Sequence, residues 1–259
     1  MSNNSEILFQ SVAEKMALAS TNIPKIFSSG REVGLREGKE EEWSAFWDAF
    51  QDCGERRIYQ NAFTRCWNAE NFKPKYDIIA EGNASGMFQY WEKYPYGNIA
   101  EICSNCGVTL DLSNANCLSS AFRYCLSPEL PTLNLSNATD ISDMLSFAGV
   151  KRIEKIISSE NTGWQSPRAL SLWSQGEHCI FEGEICESIT LSESAMFDKE
   201  TIVSMINTLS PNVTGMVATV GQNAVDKAFE TSEGANDGSV CEEWLALVNS
   251  KLNWTISLS

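Results

Sequence analysis

The sequence predicts an α/β fold: a repeat solenoid with a parallel sheet and with irregular and helical arms, preceded by an N-terminal helical segment. Three observations carry this reading. Thr109-Leu-Asp-Leu-Ser-Asn-Ala115 returns almost unchanged as Thr132-Leu-Asn-Leu-Ser-Asn-Ala138, 23 residues further on. In both copies Leu-x-Leu alternates with polar residues, the period of a strand with one buried face. From residue 198 onward, helical and strand periods alternate. One Leu-x-Leu unit cannot bury its own apolar face, whereas units stacked side by side can.

At the N-terminus, Ser5–Ala19 places Leu8, Val12 and Met16 on one helical face, and Pro24 marks a break. Residues 31–52 read as a second helix. It begins with charged residues and ends in Trp43, Phe46, Trp47 and Phe50 at i, i+3, i+4, i+7, a stripe suited to capping the first repeat. Residues 1–57 are therefore expected to form a helical attachment or capping segment, and 58–259 the solenoid.

Within residues 58–195 an Ala-Phe-x-x-Cys element precedes each strand. It reads Ala62-Phe-Thr-Arg-Cys66 and Ala121-Phe-Arg-Tyr-Cys125, with a relaxed copy in Gly86-Met-Phe-Gln-Tyr-Trp91. Strand-like stretches follow at 76–79, 109–113 and 132–136. The 23-residue register aligns Leu118 with Ile141, Phe122 with Leu145, Tyr124 with Phe147 and Leu130 with Ile153, and Lys155–Ser159 falls at the next position. The wider gap from Phe88 to Phe122 fits an insertion, with Asn98–Gly107 as a helical turn. Leu110, Leu112, Leu133 and Leu135 are expected in the core. Thr109, Asp111, Ser113, Thr132, Asn134 and Ser136 are expected on the outward face.

Residues 196–259 are expected to be helix–strand repeats with a terminal cap. Ser188–Ser192 is a strand. A helix over 198–209 has Asp198 as N-cap and Ile202, Met205, Ile206 and Leu209 inward. Met216–Val220 is a strand, Glu230–Gly238 a polar loop, Val240–Leu252 a helix with Trp244, Leu245 and Val248 inward, and Trp254–Leu258 the closing strand.

Charge and chemistry narrow the function. The chain has 259 residues and a formal net charge of −15. Residues 1–75 hold 10 basic and 11 acidic side chains, and residues 76–259 hold 9 and 23, so the acidity lies beyond the N-terminal part. That balance argues against nucleic acid and against an anionic membrane as partners. No apolar stretch is long enough to span a bilayer, and the polar start has no secretory pattern. Nine cysteines, an odd number, do not suggest a disulfide framework. Cys103-Ser-Asn-Cys106 is the only CxxC. Cys117 and Cys125 are the remaining candidate zinc ligands, at a spacing looser than tetrahedral sites use. No metal or cofactor is expected. His178, the only histidine, has no organised Asp or Ser partner in the sequence and makes a poor catalytic candidate. Glu182, Glu184 and Glu187 are the nearest carboxylate cluster, read as a solvated face. No Gly-rich phosphate loop, HExxH or Gly-x-Ser-x-Gly is present. A non-enzymatic protein is expected.

The pattern Ala121, Phe122, Cys125, Leu130, Leu133 and Leu135 resembles BspA-type leucine-rich repeats, with one extra residue between Cys125 and Leu130. The resemblance covers roughly residues 58–195 and implies that Phe122, Cys66 and Cys125 are core residues. The wider chain resembles proteins encoded in prophages of gut Gram-positive bacteria. The carrying blocks are Phe46-Trp-Asp-Ala-Phe50, Phe72-Lys-Pro-Lys-Tyr-Asp-Ile78, the central repeats, Lys227-Ala-Phe-Glu-Thr-Ser-Glu-Gly234 and Glu243-Trp-Leu-Ala-Leu-Val248 with Asn253-Trp-Thr-Ile-Ser-Leu258. That resemblance implies a phage structural or tail-associated protein in the virion. It brings no catalytic motif.

The expected function is therefore binding. The outward residues Thr109, Asp111, Ser113, Thr132, Asn134 and Ser136 are short hydroxyl, amide and carboxylate groups suited to a host-surface glycan or protein, or to a merely solvated sheet face. Trp164 and Trp173, in the irregular segment 160–177, are candidate stacking platforms, with core packing their more ordinary fate. The N-terminal segment is expected to contact other virion proteins or to self-associate. An intracellular or surface protein-interaction module is the alternative, and a tail-borne glycan hydrolase a distant one.

Overall fold

The structure is a computed structural model, and it describes residues 57–58, 74, 77–91, 97–194, 196–229 and 241–259. The two N-terminal helices, the Ala62–Cys66 element and the 230–238 loop read from the sequence lie outside the described residues. Within them the protein is α/β, with several small parallel sheets.

The first sheet runs β1 (Arg57–Ile58), β2 (Ile78–Asn83) and β3 (Leu110–Cys117). The second holds β4 (Glu129–Leu130), β5 (Leu133–Asn134), β6 (Arg152–Ser158) and β7 (His178–Gly183). Here β4 and β5 pair successive parts of β6, and β7 pairs its other edge. The third is β8 (Ile189–Leu191), β9 (Met216–Val220) and β10 (Trp254–Leu258). Every strand pairing among the described residues is parallel.

The repeat sets the register. Leu130 pairs with Ile153 and Leu133 with Ile156, as the 23-residue spacing predicts. The Leu-x-Leu alternation holds as well. Leu110, Leu112, Leu133 and Leu135 are buried, as are Ile153 and Ile156 one unit on.

The turns between strands stack in the same sense. Gly86, Phe88 and Tyr90 donate their N–H groups to the carbonyls of Ser119, Ala121 and Arg123. Ser120, Phe122 and Tyr124 donate theirs to Ser142, Met144 and Ser146. Phe88, Phe122 and Leu145 are fully buried, and the rings of Phe88 and Phe122 stack at 5.6 Å. These turns run through the left-handed region. Tyr90, Tyr124 and Phe147 occupy it at one position, and Ser120, Asp143 and Arg168 at another. Non-glycine residues persist there only where the surroundings fix them. Here the cross-unit hydrogen bonds do so.

The predicted insertion is α1 (Ile99–Cys106). Asn98 caps it by accepting the Glu101 N–H, and Gly107 ends it at φ +65°, where it satisfies the carbonyls of Cys103 and Ser104.

The C-terminal helices follow. In α2 (Lys199–Thr208) Asp198 is the N-cap, and Ile202, Met205 and Ile206, with Leu209 just beyond, are buried as expected. This helix closes the edge of β7, because Cys179 and Phe181 donate their N–H groups to the hydroxyls of Thr201 and Ser204. Side-chain oxygens thus take the place of the next strand. α3 (Gln222–Ala228) and α4 (Glu242–Asn249) lie between β9 and β10 in sequence. Trp244 is buried against Phe229, but Leu245, expected inward, is exposed. One residue further round the helix turns its side chain away from the face that Trp244 anchors.

One ion pair is mostly buried on its acidic side. Arg168 donates through Nε and an Nη to both oxygens of Asp143 at 2.7 and 2.6 Å, and Ser146 donates at 2.8 Å. The guanidinium holds the Asp143 carboxyl below its ordinary value, against the opposing effect of burial. A lowered native value contributes stability above the unfolded carboxyl pKa of about 3.9, and that stability is lost as pH falls through the native value. Asp143→Asn is expected to cost about 1–2 kcal/mol at pH 7, discounted because Arg168 is largely exposed. The difference from wild type should shrink as thermal unfolding is followed from pH 5 down to pH 2.

Candidate functional site

Of the six outward residues, only Thr109 is exposed. Asp111, Ser113, Thr132, Asn134 and Ser136 are half-buried. The reason is local hydrogen bonding. Asp111 Oδ1 accepts the Ser113 N–H at 2.9 Å, and Asn134 Oδ1 accepts both the N–H and the hydroxyl of Ser136. These i to i+2 bonds fold the short side chains back onto their own backbone. The side chains of Asp111, Asn134 and Ser136 are thus engaged within their own strands, where they shape the turn. A lysine at Asp111 or Asn134 would remove an acceptor that the turn uses.

Thr109 and Thr132 are placed differently. Both line a cleft of about 600 Å³ between α1 and the leading ends of the strands. Its volume falls in the range of small-ligand sites. Glu129, Arg152, Glu154 and His178 line it with them, half-buried Pro131 adds an apolar part, and the core residues Val108, Leu130 and Ile153 lie beneath. Strand register creates the polar row. Glu129 pairs with Arg152, and Arg152 pairs with His178. Partnered residues of parallel strands share a face, so three side chains line up at about 4.8 Å per strand. Asn98 Nδ2 donates to Glu129 at 3.4 Å, tying α1 to the cleft. Glu154 accepts the N–H and hydroxyl of Thr132 at 3.2 and 3.0 Å. Arg152 is exposed and has no side-chain hydrogen bond or ion pair among the described residues.

His178 departs from expectation, because it does have an organised partner. Its Nδ1 lies 2.6 Å from Asp198 Oδ2. The other oxygen of Asp198 accepts the N–H and hydroxyl of Thr201 at the start of α2. Burial raises the Asp198 pKa, but the bonds from His178 and Thr201 outweigh it and leave the carboxylate low. An ionised carboxylate only accepts, so Nδ1 carries a proton toward Asp198 and Nε2 is left as the ring's second polar atom. Among the described residues no hydroxyl or thiol lies within hydrogen-bond distance of Nε2.

The other candidates are spoken for. Trp164 and Trp173 are buried, which removes both as exposed platforms. Trp173 donates its indole N–H to the Val150 carbonyl at 2.7 Å, one repeat away, and packs edge-on against Phe197. Trp164 packs near Phe181. Glu182 pairs with Lys155, Glu184 accepts from Ser210 and Asn212, and Glu187 accepts the Gln165 N–H. The three therefore do not converge on one point of chemistry.

The cysteines divide likewise. Burial pushes the Cys103 thiol up to about 11 and that of Cys125 up to about 12, and it raises Cys179 further still. Thiols so raised are poor nucleophiles. Cys117 donates to Asp140 at 3.5 Å. Among the described residues all cysteines are free, and no group of three or more His, Cys, Asp or Glu side chains is placed to hold a metal ion. None of the described helices is long and apolar enough to cross a membrane.

Sequence reading missed Glu129, Arg152 and Glu154 and set His178 aside. The signal for two of them was present, since aligning Leu130 with Ile153 places Glu129 beside Arg152. No protein-family model, curated protein or solved structure matches the chain.

Proposed function

We propose that this chain is a non-enzymatic binding protein, a leucine-rich-repeat solenoid of the virion that contacts a host-surface glycan or protein. The observation that carries the reading is the cleft. Thr109 and Thr132, two of the outward repeat residues, line one cleft with Glu129, Arg152, Glu154 and His178. Register between repeats assembles this set, as repeat proteins build binding surfaces from equivalent positions. The raised cysteines and the absence of a nucleophile beside His178 among the described residues fit binding better than covalent catalysis.

Two experiments test it. Labelled protein is expected to sediment with host cells, and Thr109→Arg, which crowds the cleft without disturbing the core, to abolish sedimentation at unchanged thermal midpoint. Mass spectrometry of purified phage particles is expected to find the chain at a stoichiometric copy number. Failure to bind cells overturns the binding role, and absence from clean particles overturns the virion role. A distant second reading, glycan hydrolysis, is favoured only by Glu129 and Glu154 lining the same cleft. New reducing ends after incubation with host polysaccharide would establish it instead.

A further inference from the structure

We propose that the cleft between α1 and β4, β6 and β7 binds a neutral saccharide unit, the row Glu129–Arg152–His178 grasping its hydroxyls. This rests on the binding function above and names its ligand class.

The first argument is donor and acceptor alternation. Glu129 accepts, Arg152 donates, and His178, its Nδ1 proton held by Asp198, offers Nε2, which accepts when the ring is neutral. Each sugar hydroxyl both donates and accepts, so vicinal hydroxyls satisfy such a row in sequence. An amide or peptide has no comparable run of dual-function groups. The second argument is spacing. The row covers two strand intervals, about 9–10 Å, which accommodates a pyranose ring with its substituents. The third is the wall. Half-buried Pro131 supplies a small apolar surface for the C–H face of the ring, and Thr109 and Thr132 line the cleft beside it.

Charge then selects neutral sugars over acidic ones. Glu129 and Glu154 both line the cleft against a single Arg152, and the chain as a whole carries −15. A carboxylate, sulfate or phosphate substituent would meet like charge on two sides. Arg152 is exposed and, though its charge acts on Glu177, no side chain among the described residues hydrogen-bonds its guanidinium. It is therefore the residue whose loss costs a ligand most and the fold least.

The test uses the full chain and saturation-transfer NMR. The probes are methyl glycosides of glucose, galactose and N-acetylglucosamine, with methyl glucuronoside and N-acetylneuraminic acid as acidic counterparts. At least one neutral glycoside is expected to bind with millimolar affinity, and neither acidic sugar to bind as well. Arg152→Ala is expected to weaken neutral binding about tenfold, the loss of one or two charge-assisted hydrogen bonds, at unchanged thermal midpoint. Thr132→Val is a second variant on the opposite side of the mouth and should weaken it as well. Preferential binding of the acidic sugars, or neutral binding indifferent to both substitutions, overturns the proposal. If no sugar binds while host cells still sediment the protein, the saccharide assignment fails and the binding function stands. If neither occurs, both fail.

Discussion

Gly183→Ala is expected to lower the unfolding free energy by about 3 kcal/mol or more. Gly183 ends β7 at φ +90°, a backbone conformation that side chains rarely adopt. It also pairs with Ser158 across the β6–β7 ladder. A Cβ built at Gly183 would collide with the Ser158 carbonyl oxygen, which is backbone and cannot swing aside. Strain and overlap therefore add at one methyl group. Urea denaturation followed by circular dichroism should show a lower midpoint with the slope unchanged. A midpoint equal to wild type would mean that this end of the second sheet is not packed as described.

Trp173→Ala is the second large effect, about 3–5 kcal/mol. The indole is almost wholly buried and sits edge-on to Phe197 at 5.2 Å. Its N–H satisfies the Val150 carbonyl, 23 residues back in the chain. Removing the ring opens a cavity and leaves that carbonyl unpaired. Trp173→Phe separates the two contributions. It keeps most of the aromatic packing and loses the hydrogen bond, and should cost about 1–3 kcal/mol. An alanine variant as stable as wild type would mean that Trp173 lies at the surface, where the platform role first considered for it would return. Against a typical total stability of about 5–15 kcal/mol, that loss is a large share of what holds the fold.

Local pattern and tertiary context divided the legibility of this chain. Periodicity exposed Leu110, Leu112, Leu133 and Leu135 as core, and the 23-residue spacing located the partners of β4 and β5 on β6. Capping chemistry located α2 through Asp198, and the widened spacing from Phe88 to Phe122 pointed to α1. What escaped were facts that depend on where distant atoms end up. The partner of His178 is Asp198, 20 residues away, and only the packing of α2 on β7 brings them to 2.6 Å. Arg152 looked like one charge among many, because its place between Glu129 and His178 exists only once three strands lie side by side. Asp111 and Asn134 misled for the opposite reason. Alternation gave their face correctly but not that each side chain is occupied by the backbone two residues on. Leu245 misled because a helical stripe drawn one residue too wide includes a position that faces water.

The parallel pairing of β4 and β5 with β6 has a consequence for heredity. Each contact joins a residue to its counterpart one repeat later, Leu130 to Ile153 and Leu133 to Ile156. A duplication or loss of 23 residues within this stretch would keep these paired positions in register. A change by any other length in the strand-bearing part moves apolar side chains to the wrong face. α1 is the tolerated exception, since it lengthens the path between strands without entering them. Lineages carrying this chain should therefore differ in length by whole repeats or by loop and helix insertions such as α1, while the strand residues that build the cleft keep their relative positions.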